Sequence, residues 1–171
     1  NFDQKAALIA QYRWSKLVGR IDSNFSIETG GNREVNEITT TQSFSNSLRF
    51  QYDYSEKTSF DLKFSQDASI VEEFQNTNQY EVAGGMGYQI FPKTNIGFEV
   101  VGGVKEPPPS PLQYYQQARL RLNYTATGKL TFMFSGGVEV LEFEGEDSIK
   151  ATPVFSLGLA YRPFDGTSLS L

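Results

Sequence analysis

The chain contains no cysteine and no histidine in its 171 residues. Together these absences remove the commonest routes to chemistry. Without cysteine there is no thiolate nucleophile and no disulfide framework to read, a composition compatible with an oxidising periplasm. Without histidine the usual general base and the usual zinc ligand are missing, so no metal or other cofactor is expected. Long apolar runs are lacking too. None approaches the roughly 18 residues of a spanning helix, and mean hydropathy is −0.39. A helical membrane protein is thereby excluded, whereas a membrane barrel is not, because only every second residue of its strands meets lipid. Finally, there is no basic excess. Fifteen Lys and Arg stand against 20 Asp and Glu, for a net charge of −5. The basic residues are dispersed, which argues against a nucleic-acid partner.

What the chain does have is aromatic residues, 14% of the total, placed at regular intervals. Five times an aromatic residue runs into a short polar turn and out into an apolar strand, at Trp14, Tyr54, Tyr88, Tyr124 and Tyr161. The outgoing strands open at Ile21, Phe60, Ile96, Leu130 and Leu169, in steps of about 34 to 39 residues, the length of one β-hairpin and its return loop. The tight turns fall at 15–18, 55–58, 91–94, 126–129 and 164–167. The opposite ends are longer and polar, at 29–37, 67–78, 105–113 and 142–150, with Pro107 to Pro111 forming a stiff segment in one of them. Short turns at one rim and long loops at the other are the asymmetry of up-and-down outer-membrane barrels.

Alternation within the segments supplies the second argument, since successive side chains of a strand point to opposite faces. Phe44, Leu48, Phe50, Tyr52 and Tyr54 alternate with Ser45, Ser47, Arg49, Gln51 and Asp53. Phe60, Leu62 and Phe64 alternate with Asp61, Lys63 and Ser65, and Ala118, Leu120, Leu122 and Tyr124 with Arg119, Arg121 and Asn123. Strands are predicted over 6–14, 18–28, 38–54, 59–71, 79–90, 95–104, 114–124, 130–141 and 151–162, with a tenth begun at 168. Gly84-Gly85-Met86-Gly87 falls inside one of them, where it reads as a bending device rather than a phosphate cradle.

Such alternation fits a soluble barrel or sandwich with a dry interior, or a membrane barrel with a wet one. The polar face decides. It carries Arg13, Arg20, Asp22, Arg49, Asp53, Asp61, Lys63, Glu81, Glu99, Arg119, Arg121, Glu139 and Arg162, seven cations against six acids. This Arg-rich and nearly balanced set suits the lumen of a barrel, where charges face one another. Tyr12, Trp14, Tyr52, Tyr54, Tyr88, Phe91, Tyr124, Tyr161 and Phe164 all fall near the tight-turn rim, as an aromatic girdle at a lipid interface requires. The expected architecture is an all-β, antiparallel, up-and-down transmembrane barrel forming a single domain over 1–171. About ten strands are present. A start at Asn1 without a signal peptide, and a last strand only begun, make it a fragment of a larger barrel.

The unit Tyr54-Ser-Glu-Lys-Thr-Ser-Phe60, echoed at Tyr88 to Ile96 and Tyr161 to Leu169, resembles the turn signature of the outer-membrane β-barrel, porin-like family. The resemblance implies passive or export-linked conduction and carries over no catalytic residue. The chain departs from such barrels in lacking a terminal aromatic. Barrel enzymes of the outer membrane, by the same resemblance, rely on histidine, so no enzyme is expected. Asp53 and Asp61 flank one turn and could form an acid pair, but Arg49 and Lys63 beside them favour a cross-strand ion network. The expected location is the outer membrane of a Gram-negative-type bacterium. The partners there are membrane lipid, lipopolysaccharide and small solutes passing the lumen. The readings that compete are a non-conducting structural anchor and a soluble β-barrel or sandwich that binds a ligand.

Overall fold

A computed structural model of the protein describes residues 3–32, 37–71, 76–107, 109–145, 149–162, 164 and 169–170, with backbone alone at 30–32, 37–39 and 169–170. Parts of all four long loops (33–36, 72–75, 108 and 146–148), including one residue of the proline segment, and most of the fifth tight turn (165–167) lie outside the described residues.

The strands are β1 (Gln4–Trp14), β2 (Leu17–Asn32), β3 (Glu37–Asp53), β4 (Thr58–Val71), β5 (Thr77–Phe91), β6 (Thr94–Glu106), β7 (Gln113–Thr127), β8 (Leu130–Phe143), β9 (Ile149–Tyr161) and β10 (Leu169–Ser170). They form one antiparallel sheet in strict chain order, β1 to β10, with no helix among the described residues. The sheet is open. Among the described residues β1 and β10 are not paired with each other.

Register follows from the alternation. Ile21, Leu48, Phe64 and Val82 are successive partners across β2 to β5, and one step along the strands Arg20, Arg49 and Lys63 are partners in the same way. A slip of one residue would drive the charged set through to the apolar face, so the pattern fixes the pairing. The apolar face is the open one. Along β7, Tyr114, Leu120 and Leu122 are exposed while Tyr115, Arg119 and Arg121 are half-buried. Among the described residues only Ala83 and Val101, each 5% accessible, are buried hydrophobic residues, whereas Leu120 is 64% and Phe155 80% exposed. Leu120, Leu122, Phe132 and Phe134 are exposed and Leu48 and Phe50 half-exposed, so these six do not converge on a dry core. A soluble sandwich would have these values reversed.

The tight turns are short because their residues suit them. Ser15-Lys16, Pro92-Lys93 and Gly128-Lys129 each join two strands directly, Ser15 taking a positive φ of 50°. The longer turn over Tyr54 to Lys57 is closed by the Ser55 hydroxyl oxygen, which accepts from the amides of Lys57 and Thr58 at 3.3 and 3.1 Å. A seam runs along this rim. The carbonyls of Lys16, Lys57, Lys93 and Lys129 accept from the amides of Asp53, Gln89, Thr125 and Arg162, each at 2.8 Å. Each turn thus holds the strand that returns beside it. The ammonium groups of Lys16 and Lys93 also donate to the carbonyls of Tyr54 and Ala126, at 3.1 and 3.3 Å.

At the other rim the strands run farther than the apolar pattern predicts. β2 and β3 stay paired up to Asn32 opposite Glu37. Ladder hydrogen bonds use backbone groups that every residue carries, so pairing continues after the apolar signal has ended.

Candidate functional site

The charged face positions most of the polar chemistry of the molecule. Register puts Arg13, Arg20, Asp22, Arg49, Asp53, Asp61, Lys63, Glu81, Glu99, Arg119, Arg121 and Glu139 on one face of the sheet. Arg162 lies one residue beyond β9 and is fixed there through its amide.

Ion pairs link these groups across strands. Arg119 donates to Glu99 at 2.6 Å, Glu99 also faces Arg121 at 3.6 Å, and Arg121 faces Asp61 at 3.9 Å. The chain of charges Asp61, Arg121, Glu99, Arg119 therefore reaches from β4 to β7. Three strand spacings separate those strands, about 14 Å in a flat sheet. Glycine makes the span feasible. Arg121 is the direct partner of Gly97, where an added Cβ would lie 3.6 Å from its Nε. A Cβ at Gly85 would lie 2.9 Å from Asp61 Oδ2, a distance no real Cβ shows, so Asp61 occupies the space that glycine leaves. Tyr115 uses the same device. It lies across Gly103, where a Cβ would overlap its phenol ring, and so reaches past β6 to donate to Glu81 at 3.0 Å and accept from Gln79 at 3.0 Å. Gly85, read from sequence as part of a bending device, is on this face a slot for a long side chain, as are Gly97 and Gly103.

Most of the remaining pairs lie on one strand or join neighbouring strands. Arg20 grips Asp22 on its own strand, its closest contact being 2.6 Å. Lys63 reaches Glu81 at 3.4 Å, and Gln117 donates to Glu139 at 2.7 Å. Arg13 faces Asp53 at 3.7 Å, and nearer the loops Lys5 pairs with Glu28 at 2.8 Å. Asp53 and Asp61 are thus separately committed to Arg13 and Arg121. The acid pair that the turn suggested does not form. Arg49 has no ion pair among the described residues; it is exposed, with Asp22 within electrostatic reach. Arg119 Nε is covered and has no acceptor among the described residues.

Two polar hollows result. One of about 590 Å³ is lined by Asp53, Lys57, Asp61, Gln89, Arg121 and Asn123, and another of about 410 Å³ by Gln79, Glu81, Tyr115, Gln117, Arg119 and Glu139. The ion network joins their walls. Among the described residues no cluster of His, Cys, Asp or Glu is arranged to hold a metal ion.

On the apolar face, Tyr12, Trp14, Tyr52, Tyr54, Tyr88, Phe91, Tyr124 and Tyr161 are all exposed at the tight-turn end, and Phe164, beyond β9, is exposed as well. The sequence reading missed a second belt. Exposed Tyr80 and Tyr114, with the ring pair Phe25 and Phe44 at 4.8 Å, stand toward the long loops beside Asn46 and Gln66. No turn flags them in the sequence. On β7 the belts lie ten residue steps apart, Tyr124 to Tyr114, about 25 Å along the normal at a tilt of about 40°.

No protein-family model and no curated protein matches the sequence. Among solved structures, outer-membrane expressed OmpT of Vibrio cholerae has a TM-score of 0.70 and 13% identity, over 93% of this chain and 56% of that one. The in-vitro folded trimer form of OmpT from the same organism gives 0.68, with the same identity and coverage. An OmpT variant lacking loop L8 gives 0.70 at 11% identity, over 93% of this chain and 53% of that one. The chain therefore spans little more than half the length of these proteins. The likeness is one of fold, an up-and-down antiparallel wall of the outer-membrane barrel type.

Proposed function

We propose that this chain is part of the wall of an outer-membrane β-barrel in a Gram-negative-type bacterium. Its apolar face stands in lipid and lipopolysaccharide, and its charged face lines a wet, non-catalytic passage for small solutes. One observation carries the reading, the inverted burial of the central strands, in which large apolar side chains are exposed while most charged ones on the opposite face are half-covered. In water that arrangement would expose a continuous hydrophobic surface; in a bilayer it costs nothing. The spacing of the aromatic belts supports it, being about that of the apolar band of known barrels. Open sheet edges are not tolerated in hydrocarbon, so in a bilayer β1 and the far edge would each be paired.

The ion network from β4 to β7 favours a second reading, in which side chains fill the interior and the barrel acts as a non-conducting anchor. Planar-bilayer recording separates the two. Discrete conductance steps from the reconstituted protein are expected, and a silent protein that is nonetheless fully inserted would favour the anchor. Detergent-independent solubility of a folded monomer would overturn both.

A further inference from the structure

Arg20, Arg49 and Lys63 are direct cross-strand partners on the polar face of β2, β3 and β4. Three like charges in one lateral row repel, and such a row persists only where anions offset it. Two of the three carry their own acid. Asp22 holds Arg20 at 2.6 Å, and Glu81 faces Lys63 at 3.4 Å. The other acids nearby are taken as well, since Asp61 faces Arg121 and Asp53 faces Arg13. Arg49, in the middle, is exposed and has no ion pair among the described residues, Asp22 being within electrostatic reach but held by Arg20. Two residues along the strands, Ser47 and Ser65 are direct partners on the same face and supply two hydroxyl groups beside it, in a row that ends at Asp22 and Glu81, the acids engaged by Arg20 and Lys63.

We propose that Arg49 is the centre of an oxyanion subsite on the charged wall. Its guanidinium would grip two oxygens of a phosphate or carboxylate side by side, Arg20 and Lys63 would contribute field from either side, and the hydroxyls of Ser47 and Ser65 would donate to a remaining oxygen. The class of solute follows from the row. Small anions bearing a phosphate or carboxylate group would dwell there, held weakly because the site is open to water. The proposal rests on the charged face being the wet wall described above, but not on the barrel conducting.

The test is binding of inorganic phosphate to the whole chain refolded in detergent micelles, by equilibrium dialysis at fixed ionic strength against chloride. Saturable binding at one site per chain is expected, displaced by acetate as a carboxylate probe. Arg49→Gln should lower the affinity at least tenfold and Arg49→Lys less, because an ammonium keeps the charge and loses the fork. Arg162→Gln, at an exposed cation outside the row, should bind as the unaltered chain does. The row also predicts a readout that does not depend on binding. Without phosphate, Arg49→Gln should melt at or above the temperature of the unaltered chain, since a repulsion is removed. Phosphate that acts no differently from chloride, or equal binding by Arg49→Gln, would overturn the subsite, whether or not the protein conducts.

Discussion

Depth along a strand decides what a single residue contributes on the apolar face. Leu120 lies between the aromatic belts and is 64% exposed, so Leu120→Arg is expected to cost about 2 to 4 kcal/mol in lipid. Phe132 is the direct partner of Tyr124 and its ring stacks on it at 6.5 Å, which puts it at the belt, where the same change should cost only about 0 to 1 kcal/mol. Urea unfolding in lipid vesicles measures both, and equal losses would mean that the two positions share one depth. On the charged face, Gly103→Ala would push Tyr115 off its slot and break its bond to Glu81, a loss of about 1 to 3 kcal/mol. Tyr115→Phe in the Gly103→Ala background should then add almost nothing, because the bond is already gone. Which face each of these residues occupies was legible in the alternation. Which partner it meets was not, because Arg121 and Tyr115 find acids on other strands only where glycine has cleared the way.

Between strands, the linked side-chain ion pairs are concentrated in the network over β4 to β7. Glu99 serves both Arg119 and Arg121, and its side chain is 12% exposed while theirs are 35% and 39%. Glu99→Gln should cost about 1 to 3 kcal/mol, less than a fully buried pair would because water still reaches both arginines. Asp53→Asn, whose partner Arg13 is the more exposed at 60%, should cost well under 1 kcal/mol. Thermal melts of the two variants in detergent compare them directly, and a larger loss for Asp53→Asn would move the centre of the network toward β1. The strands themselves were readable from sequence, as were the turns, since Ser55, Pro92 and Gly128 announce them. The upper end of β2 was not. From Thr29 to Asn32 the ladder continues opposite Glu37 to Thr40, through residues of β2 that no apolar period marks.

For the whole molecule, charge along the axis sets what a conducting barrel would prefer. The long loops are acidic in sequence, and the described ends carry Glu28, Asp67, Glu106, Glu142 and Glu144, so cations should concentrate at that mouth. Reversal potentials across a salt gradient should show cation preference, fading as the Debye length falls from about 10 Å at 0.1 M to about 3 Å at 1 M. Arg49→Gln should strengthen that preference at low salt, and anion selectivity in both proteins would refute control by the loops. The aromatic rim at the tight turns could be read from the chain, whereas the opposite belt could not, because Tyr80 and Tyr114 sit among polar residues with no turn beside them.

The seam of lysine carbonyls has an evolutionary consequence. Every stitch in it is made by main-chain atoms, so a substitution at Lys57 or Gln89 leaves the bond between them available. Side chains along the rim can therefore vary while the seam stays intact, which fits a likeness of fold at 13% identity. The same seam makes the hairpin a unit of inheritance. From Thr58 through Lys93 is one complete repeat of even length, and its in-frame loss or duplication would rejoin a lysine to a threonine that opens a strand, with inner and outer faces still in phase. Such a gene can change the girth of its product by copying, without inventing a new joint.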